Sequence, residues 1–142
     1  VAKATIALLF AMLAASTIGA LLPHERPFVA GVGYTFLAHA PDSSFPSDHG
    51  TAIFTFALAV LFWHRVWSGA LLMIVAVGIA WSRVYLGVHW PLDMVGGFLL
   101  GLVGCLFAQL VWNLFGDPLA DKLSRLYRFL FAFAIRRGWV KE

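Results

Sequence analysis

The sequence predicts an all-α fold, a polytopic bundle of membrane-spanning helices. Of the 142 residues, 61% are hydrophobic and only 12% are charged, and the mean hydropathy is +0.86. Soluble domains average about 25% charged residues, so this chain lies outside their range. Its apolar residues also fall into long runs, and several runs of about 20 such residues indicate helices surrounded by lipid.

Four segments have the length and composition of membrane spans: residues 4–22, 51–66, 70–84 and 91–115. The segments are separated by residues that cap, turn or interrupt helices: Pro23 and Pro27 after the first, Ser47 and Asp48 before the second, Ser68-Gly69 before the third, and Pro91 at the start of the fourth. Gly97 and Gly101 have the small-xxx-small spacing of close helix packing, and Gly104 follows.

The basic residues are distributed unequally between the two sides of such a bundle. With four alternating spans, one side receives eight of the ten: Lys3, Arg65, Lys122, Arg125, Arg128, Arg136, Arg137 and Lys141. Only Arg26 and Arg83 fall on the other side. Because cytoplasmic loops carry an excess of Lys and Arg, we expect the first side to be cytoplasmic and the second to face outward.

The last part of the chain predicts a second unit, residues 116–142, after a transmembrane domain of residues 1–115. Asp117 and Pro118 are suited to begin a helix. Leucines then recur at helical spacing with basic residues between them: Leu119, Leu123, Leu126 and Leu130. Such a basic amphipathic helix is expected to lie on the inner leaflet, with anionic lipids as partners. Packing of this helix against the bundle is the alternative.

Three polar clusters lie at the predicted outer ends of the spans: PHERPF at 23–28, FPSDHG at 45–50 and SRVYLGVHWPLD at 82–93. Antiparallel helices bring these ends to one depth in the membrane. We therefore expect six polar side chains to converge: Arg26, Ser47, His49, Arg83, His89 and Asp93. Charged groups near a bilayer are costly and commonly functional, so the convergence predicts a site.

The residue types in this site predict a tetrahedral oxyanion as its ligand. Arg26 and Arg83 offer forked donors, and Ser47 adds a hydroxyl. The first amides of the second span, from Asp48 to Gly50, point outward at the positive end of the helix dipole. Carboxylates are few and the histidines lie beside arginines that repel cations, so no metal site is predicted. No nucleic-acid partner is predicted either.

His89 and Asp93 have the spacing of a nucleophile and the carboxylate that orients it. Asp93, in the first turn of the fourth span, is able to reach back to one imidazole nitrogen and leave the other free to attack. His49 would protonate the leaving oxygen and later activate water. Each residue also has a structural alternative. Ser47 and Asp93 could be helix caps, and Arg83 could extend to the membrane surface. Arg26 could be an anchor at the membrane interface, and His49 and His89 could be interfacial histidines.

These motifs resemble the three signature motifs of the type 2 phosphatidic-acid-phosphatase superfamily. The third, Ser-Arg-x3-Gly-x-His-x3-Asp, is matched by Ser82, Arg83, Gly87, His89 and Asp93. The second, Pro-Ser-x-His, is matched by Pro46, Ser47 and His49. The first is matched at Arg26-Pro27, but Gly19 occupies the position of its lysine. Spacing and the stretch 31–51 resemble the bacterial undecaprenyl-diphosphatase branch, and the resemblance covers about residues 19–113.

The resemblance implies an enzyme without metal or other cofactor, in which His89 is the nucleophile, Asp93 orients it and His49 is the acid and base. It implies that undecaprenyl diphosphate is cut to the monophosphate on the outer face of the bacterial inner membrane and reused in cell-wall synthesis. It also implies six spans, so one or two helices are expected before Val1. The phosphate site lacks one cation at Gly19, unless His24 or another group replaces it.

Two alternatives remain open. The substrate could be another lipid phosphate, such as phosphatidylglycerophosphate, phosphatidic acid or a lipid A phosphate. From a different functional class, the chain could be a catalytically silent lipid-binding or transport protein that keeps the anion site. A silent relative would be expected to lose a histidine or the aspartate, and this chain has His49, His89 and Asp93. The oligomeric state is not predicted.

Overall fold

The computed structural model describes residues 1–34 and 36–133, and the regular structure in these residues is helical. Four helices follow in chain order: α1 (Ala2–Leu21), α2 (Asp48–Trp63), α3 (Val66–Tyr85) and α4 (Pro91–Leu130). α1, α3 and α4 are long and apolar enough to cross a membrane. α2 has 16 residues, a rise of about 24 Å against a core of about 30 Å. The predicted all-α membrane bundle is confirmed.

Most predicted helix boundaries agree with the structure. α1 ends with Leu22 as its C-cap, directly before Pro23. Ser47 is the N-cap of α2, where its side chain accepts a hydrogen bond from the amide of Gly50, and α4 begins at Pro91. Proline is favoured in the first helical turn because the N–H groups of that turn make no intrahelical hydrogen bond, so the absence of an N–H in proline costs nothing there.

The turn predicted at Ser68-Gly69 was wrong, because both residues lie inside α3 and the break falls at His64 and Arg65. Gly69 serves close packing instead. A Cβ at Gly69 would overlap Cα of Leu61 in the preceding helix. The glycine therefore lets α2 and α3 approach each other just after the chain reverses direction. From the sequence alone, a glycine in a helix contact cannot be distinguished from a glycine in a turn.

The helix start predicted at Asp117 and Pro118 was also wrong, because α4 continues through both residues to Leu130. An internal proline removes one backbone hydrogen bond, and α4 is nevertheless continuous through Pro118. By internal contacts the chain divides into Val1–Ala108 and Gln109–Glu142. In the second unit Leu123, Leu126 and Leu130 are exposed, and its membrane association stays a prediction. Arg136, Arg137 and Lys141 lie outside the described residues.

In the first unit, small residues set the distance between α4 and its neighbours. A Cβ at Gly97 would lie 2.7 Å from the amide nitrogen of Thr51, and one at Gly101 would lie 2.9 Å from that of Thr55. On α1, the carbonyl of Ala7 would be 2.7 Å from a Cβ at Gly104. These separations confirm that the glycines permit close helix packing. They bring the first turns of α2 and α4 together, and the candidate site lies at that junction.

Candidate active site

The imidazole of His89 is the centre of the site and is buried between the start of α4 and the loop before α2. Its Nδ1 lies 3.2 Å from Oδ2 of Asp93 and 3.1 Å from the carbonyl oxygen of Ser44. Asp93 also accepts the backbone N–H of Trp90 at 2.8 Å, so it reaches back over the helix start as the spacing predicts. Since Nδ1 faces acceptors, it is the nitrogen that carries the proton.

The opposite nitrogen of His89 faces donors. Nη1 of Arg26 lies 3.1 Å from Nε2, and the hydroxyl of Ser47 lies 3.4 Å from it. A guanidinium can only donate hydrogen bonds, so Nε2 presents its lone pair toward Arg26 and Ser47. The structure therefore brings together four of the predicted site residues, with the imidazole in the tautomer that a nucleophile at Nε2 requires.

Arg26 is buried and held in place by the loop before α2. Its Nε donates to Oδ1 of Asp42 at 2.9 Å, and its Nη2 donates to the carbonyl of Ser43 at 3.2 Å. Nη1 also donates to the carbonyl of Val88 at 2.9 Å. Desolvation by burial raises the pKa of Asp42, but the hydrogen bond and charge of Arg26 outweigh it and lower the pKa of Asp42 below its usual value.

Arg83 and His49 form a second pair in the site. Nη2 of Arg83 donates to Nδ1 of His49 at 2.9 Å, and Nε of Arg83 is buried without a partner among the residues that the structure describes. Arg83 also lies near enough to Arg26 for their charges to repel each other. Two nearby guanidinium groups and a free donor favour an anion. Within residues 1–34 and 36–133, no group of His, Cys, Asp or Glu is arranged to hold a metal ion.

The first turn of α2 forms another wall of the site. Ser47 is fully buried and caps the helix through the bond from the amide of Gly50, at 3.2 Å. The amide of Gly50 thus serves the cap in this conformation. The amides of Asp48 and His49 precede the first intrahelical hydrogen bonds and point toward the helix N-terminus. The side chain of Asp48 is exposed, so its carboxylate lies away from the buried core of the site.

An apolar cavity of about 830 Å³ lies beside the His89–Asp93 pair. It is lined by the end of α1, the following loop and the start of α4: Leu21, Leu22, Pro23, His24, Phe45, Trp90, Pro91, Leu92 and Asp93. Its volume and its mainly apolar lining are those of a small-molecule pocket. The cavity therefore places apolar surface next to the residues that would perform the chemistry.

Two residues of the site were missed by the sequence reasoning. Asp42 pairs with Arg26, and Ser44 is fully buried with its hydroxyl donating to Oδ2 of Asp93. Both lie in an irregular loop, where no hydrophobic periodicity indicates which side chains point inward.

Gly19 and His24, the positions considered for the cation of the first motif, lie near the same loop. A Cβ added at Gly19 would lie 3.4 Å from the carbonyl oxygen of Phe45. His24 donates its amide to Ser43 Oγ at 3.3 Å and lines the cavity.

Comparison with known proteins gives consistent matches. A family model described as the PAP2 superfamily matches residues 1–117. YbjG of Escherichia coli (strain K12), which its name describes provisionally as an undecaprenyl-diphosphatase, is 61% identical over 142 residues, 100% of this chain and 72% of that protein. The undecaprenyl-diphosphatase BcrC of Bacillus subtilis (strain 168) is 37% identical over 106 residues, 72% of this chain and 52% of that protein.

Among solved structures, the crystal structure of Aquifex aeolicus LpxE has a TM-score of 0.70 at 24% sequence identity. The match covers 76% of this chain and 66% of that one, and at this identity it shows a shared fold. The family model covers most of the chain and includes all the residues of the site described above. The chain is a multi-pass membrane protein that belongs to the PAP2 superfamily, in its undecaprenyl-diphosphatase-like branch.

Proposed function

We propose that this chain hydrolyses undecaprenyl diphosphate to undecaprenyl phosphate and inorganic phosphate through a phosphohistidine at His89. The observation that carries the proposal is the opposed environment of the imidazole. Acceptors surround Nδ1 and donors surround Nε2. A neutral imidazole held in this way has a lone pair at Nε2, directed at the groups that would bind a phosphoryl oxygen.

In the first step, the Nε2 lone pair of His89 attacks the terminal phosphorus, a P–N bond forms, and the bond to the bridging oxygen breaks. The bridging oxygen leaves on the lipid monophosphate and takes a proton from His49. Positive charge develops on the imidazole, and the Asp93 carboxylate at Nδ1 stabilises it. Arg26, which bonds Nε2 in this structure, transfers its Nη1 donor to a phosphoryl oxygen when the substrate is bound.

In the second step, His49 removes a proton from water, and the water oxygen attacks the phosphorus of the phosphohistidine. The P–N bond breaks, its electron pair returns to Nε2, and inorganic phosphate leaves. To act first as acid and then as base at one nitrogen, His49 needs a proton on the other. Arg83 donates to Nδ1 of His49 in this structure, so the mechanism requires Arg83 to move its hydrogen bond to the phosphoryl group.

The proposed substrate is supported by similarity and by the apolar cavity. BcrC is named for undecaprenyl-diphosphatase activity, and the 830 Å³ cavity next to Asp93 offers apolar surface for the start of an isoprenoid chain. The outward orientation of the site is supported by the sequence, because the predicted order of spans assigns only two of the ten basic residues, Arg26 and Arg83, to that side. We therefore propose that the reaction takes place on the outer face of the bacterial inner membrane.

The test is phosphate release from undecaprenyl diphosphate by the detergent-purified chain in excess EDTA, with His89→Ala as the comparison. We expect release by the parent and none by the variant. Phosphatidylglycerophosphate, phosphatidic acid and a lipid A phosphate, assayed in parallel, test the substrate. A preference for one of these lipids would overturn the substrate but keep the mechanism. Activity that survives His89→Ala would overturn the mechanism, and a folded but inactive parent would favour the silent lipid-binding alternative.

A further inference from the structure

Ser44 has contacts to both members of the His89–Asp93 pair, although it lies outside the sequence motifs. Its hydroxyl donates to Oδ2 of Asp93, and its carbonyl oxygen lies 3.1 Å from Nδ1 of His89. The side chain is fully buried. Its backbone N–H donates to the carbonyl of His24 at 2.8 Å, so the loop that carries Ser44 is itself fixed in position.

The hydroxyl of Ser44 completes the hydrogen bonds of a carboxylate that water cannot reach. Oδ2 of Asp93 has three donors: the hydroxyl of Ser44, the backbone N–H of Trp90 and Nδ1–H of His89. Asp93 is only 1% exposed. Removing the hydroxyl therefore leaves a buried charged oxygen with one donor fewer, and solvent is not in place to replace it.

The proton on Nδ1 of His89 has two competing acceptors at nearly equal distance. Oδ2 of Asp93 lies 3.2 Å away and the carbonyl of Ser44 lies 3.1 Å away. The carboxylate must stay in its present rotamer for the imidazole to share its proton with a negative charge rather than with a neutral carbonyl. Ser44 and Trp90 together fix that rotamer, because both donate to the same oxygen.

We propose that Ser44 is a positioning residue that acts on the reaction through Asp93 and His89, an inference that rests on the proposed phosphohistidine mechanism. The ring of His89 gains positive charge when Nε2 bonds to phosphorus, and a correctly held carboxylate stabilises that charge more in the transition state than before it. An interaction of this kind raises kcat and leaves substrate binding nearly unchanged.

The position of Ser44 makes it possible to measure an effect on kcat separately from an effect on KM. Its contacts are on the Nδ1 side of the ring, whereas Arg26 and Ser47 contact Nε2, where the phosphoryl group would bind. In Ser44→Ala we expect kcat to fall about 10-fold, which corresponds to about 1.4 kcal/mol, with KM within about twofold of the parent. Ser44→Cys keeps a side chain of similar size with a weaker donor, so its kcat should lie between the two.

Thr55→Val is the matched control. Thr55 is equally buried, and its hydroxyl donates to the carbonyl of Thr51 at 2.6 Å within α2, away from both catalytic groups. Valine has the shape of threonine without the hydroxyl. We expect Thr55→Val to keep the parental kcat and KM, which separates the loss of a buried hydroxyl in general from the loss of this one.

The experiment is steady-state phosphate release from undecaprenyl diphosphate by the parent, Ser44→Ala, Ser44→Cys, Thr55→Val and His89→Ala, with folding checked by thermal unfolding in detergent. A parental kcat in folded Ser44→Ala, or a loss seen only as a higher KM, would overturn the proposal. If Ser44→Ala does not fold, Ser44→Cys decides: a parental kcat overturns it and a reduced kcat supports it. Activity in His89→Ala would instead overturn the proposed mechanism itself.

Discussion

Replacement of Gly97 by alanine should separate the two helices that assemble the site. A Cβ at Gly97 would lie 2.7 Å from the amide nitrogen of Thr51 and 2.9 Å from the carbonyl carbon of Gly50. Both atoms are backbone, so no side chain can turn away to make room. Ordinary contact begins near 3.4 Å, and α2 and α4 must therefore move apart by about 0.7 Å, at a cost of about 1–3 kcal/mol.

This displacement also reaches the proposed catalytic groups. The amide of Ser47 donates to the carbonyl of Asp93 at 3.2 Å, joining the first turns of α2 and α4. A shift of the same size along that bond stretches it to about 3.9 Å, which is beyond hydrogen-bond range. Because misplacement of catalytic groups by 1 Å can cost about 100-fold in rate, we expect Gly97→Ala to lose about 10- to 100-fold in kcat.

The control is Gly78→Ala, the same substitution in the middle of α3, where a new Cβ would meet nothing within 4 Å. Removing a helical glycine is favourable by about 0.5–1 kcal/mol, so this variant should be at least as stable as the parent and fully active. The assays are thermal unfolding in one detergent and phosphate release. Equal Tm and kcat for Gly97→Ala and Gly78→Ala would refute the packing account.

Three further predictions concern charges. Because Arg26 lowers the pKa of Asp42, the stabilisation by this pair is complete above the ordinary carboxyl pKa of about 4 and is lost as pH falls through the lowered value. Solvent partly screens the pair, so the free energy of unfolding of Asp42→Asn should be lower than that of the parent by up to about 1 kcal/mol at pH 5–8. This difference should shrink below pH 4. A difference that does not change with pH would contradict the prediction. Gly19→Lys should lower KM relative to Gly19→Ala by adding the cation that the first motif lacks, and equal KM values would show that the position is outside the phosphate site. A structure with bound vanadate should show Arg83 on the anion and not on Nδ1 of His49, whereas an unchanged contact would contradict the proposed proton transfers.

The sequence predicted the parts of the fold that follow from composition and from motif spacing. Long apolar runs predicted the helices, and the four-residue separation of His89 and Asp93 predicted their contact. It misplaced the turn at Gly69, because a glycine in a helix interface and a glycine in a turn look alike without the neighbouring helix. The start of a helix at Pro118 was misjudged for a similar reason, since a proline can lie inside a long helix.

The contacts of the loop before α2 could not be predicted from the sequence. Asp42 and Ser44 are 16 and 49 residues from the partners that they bind, Arg26 and Asp93, and an irregular segment has no period that marks its inward side chains. The motifs therefore predicted the groups to which we assign the chemistry in the proposed mechanism. They did not predict the neighbouring groups that hold Arg26 and Asp93 in place, because those contacts depend on how the loop packs.

The proposed mechanism requires Nε2 of His89 to become covalently bonded to phosphorus. The most direct measurement is mass spectrometry of the parent chain quenched at alkaline pH during turnover of undecaprenyl diphosphate, with His89→Ala treated in parallel. We expect one acid-labile phosphate on the peptide containing His89, bonded at Nε2, and none on the variant. A phosphate on another residue, attachment at Nδ1, or full turnover without a phosphorylated intermediate would contradict it.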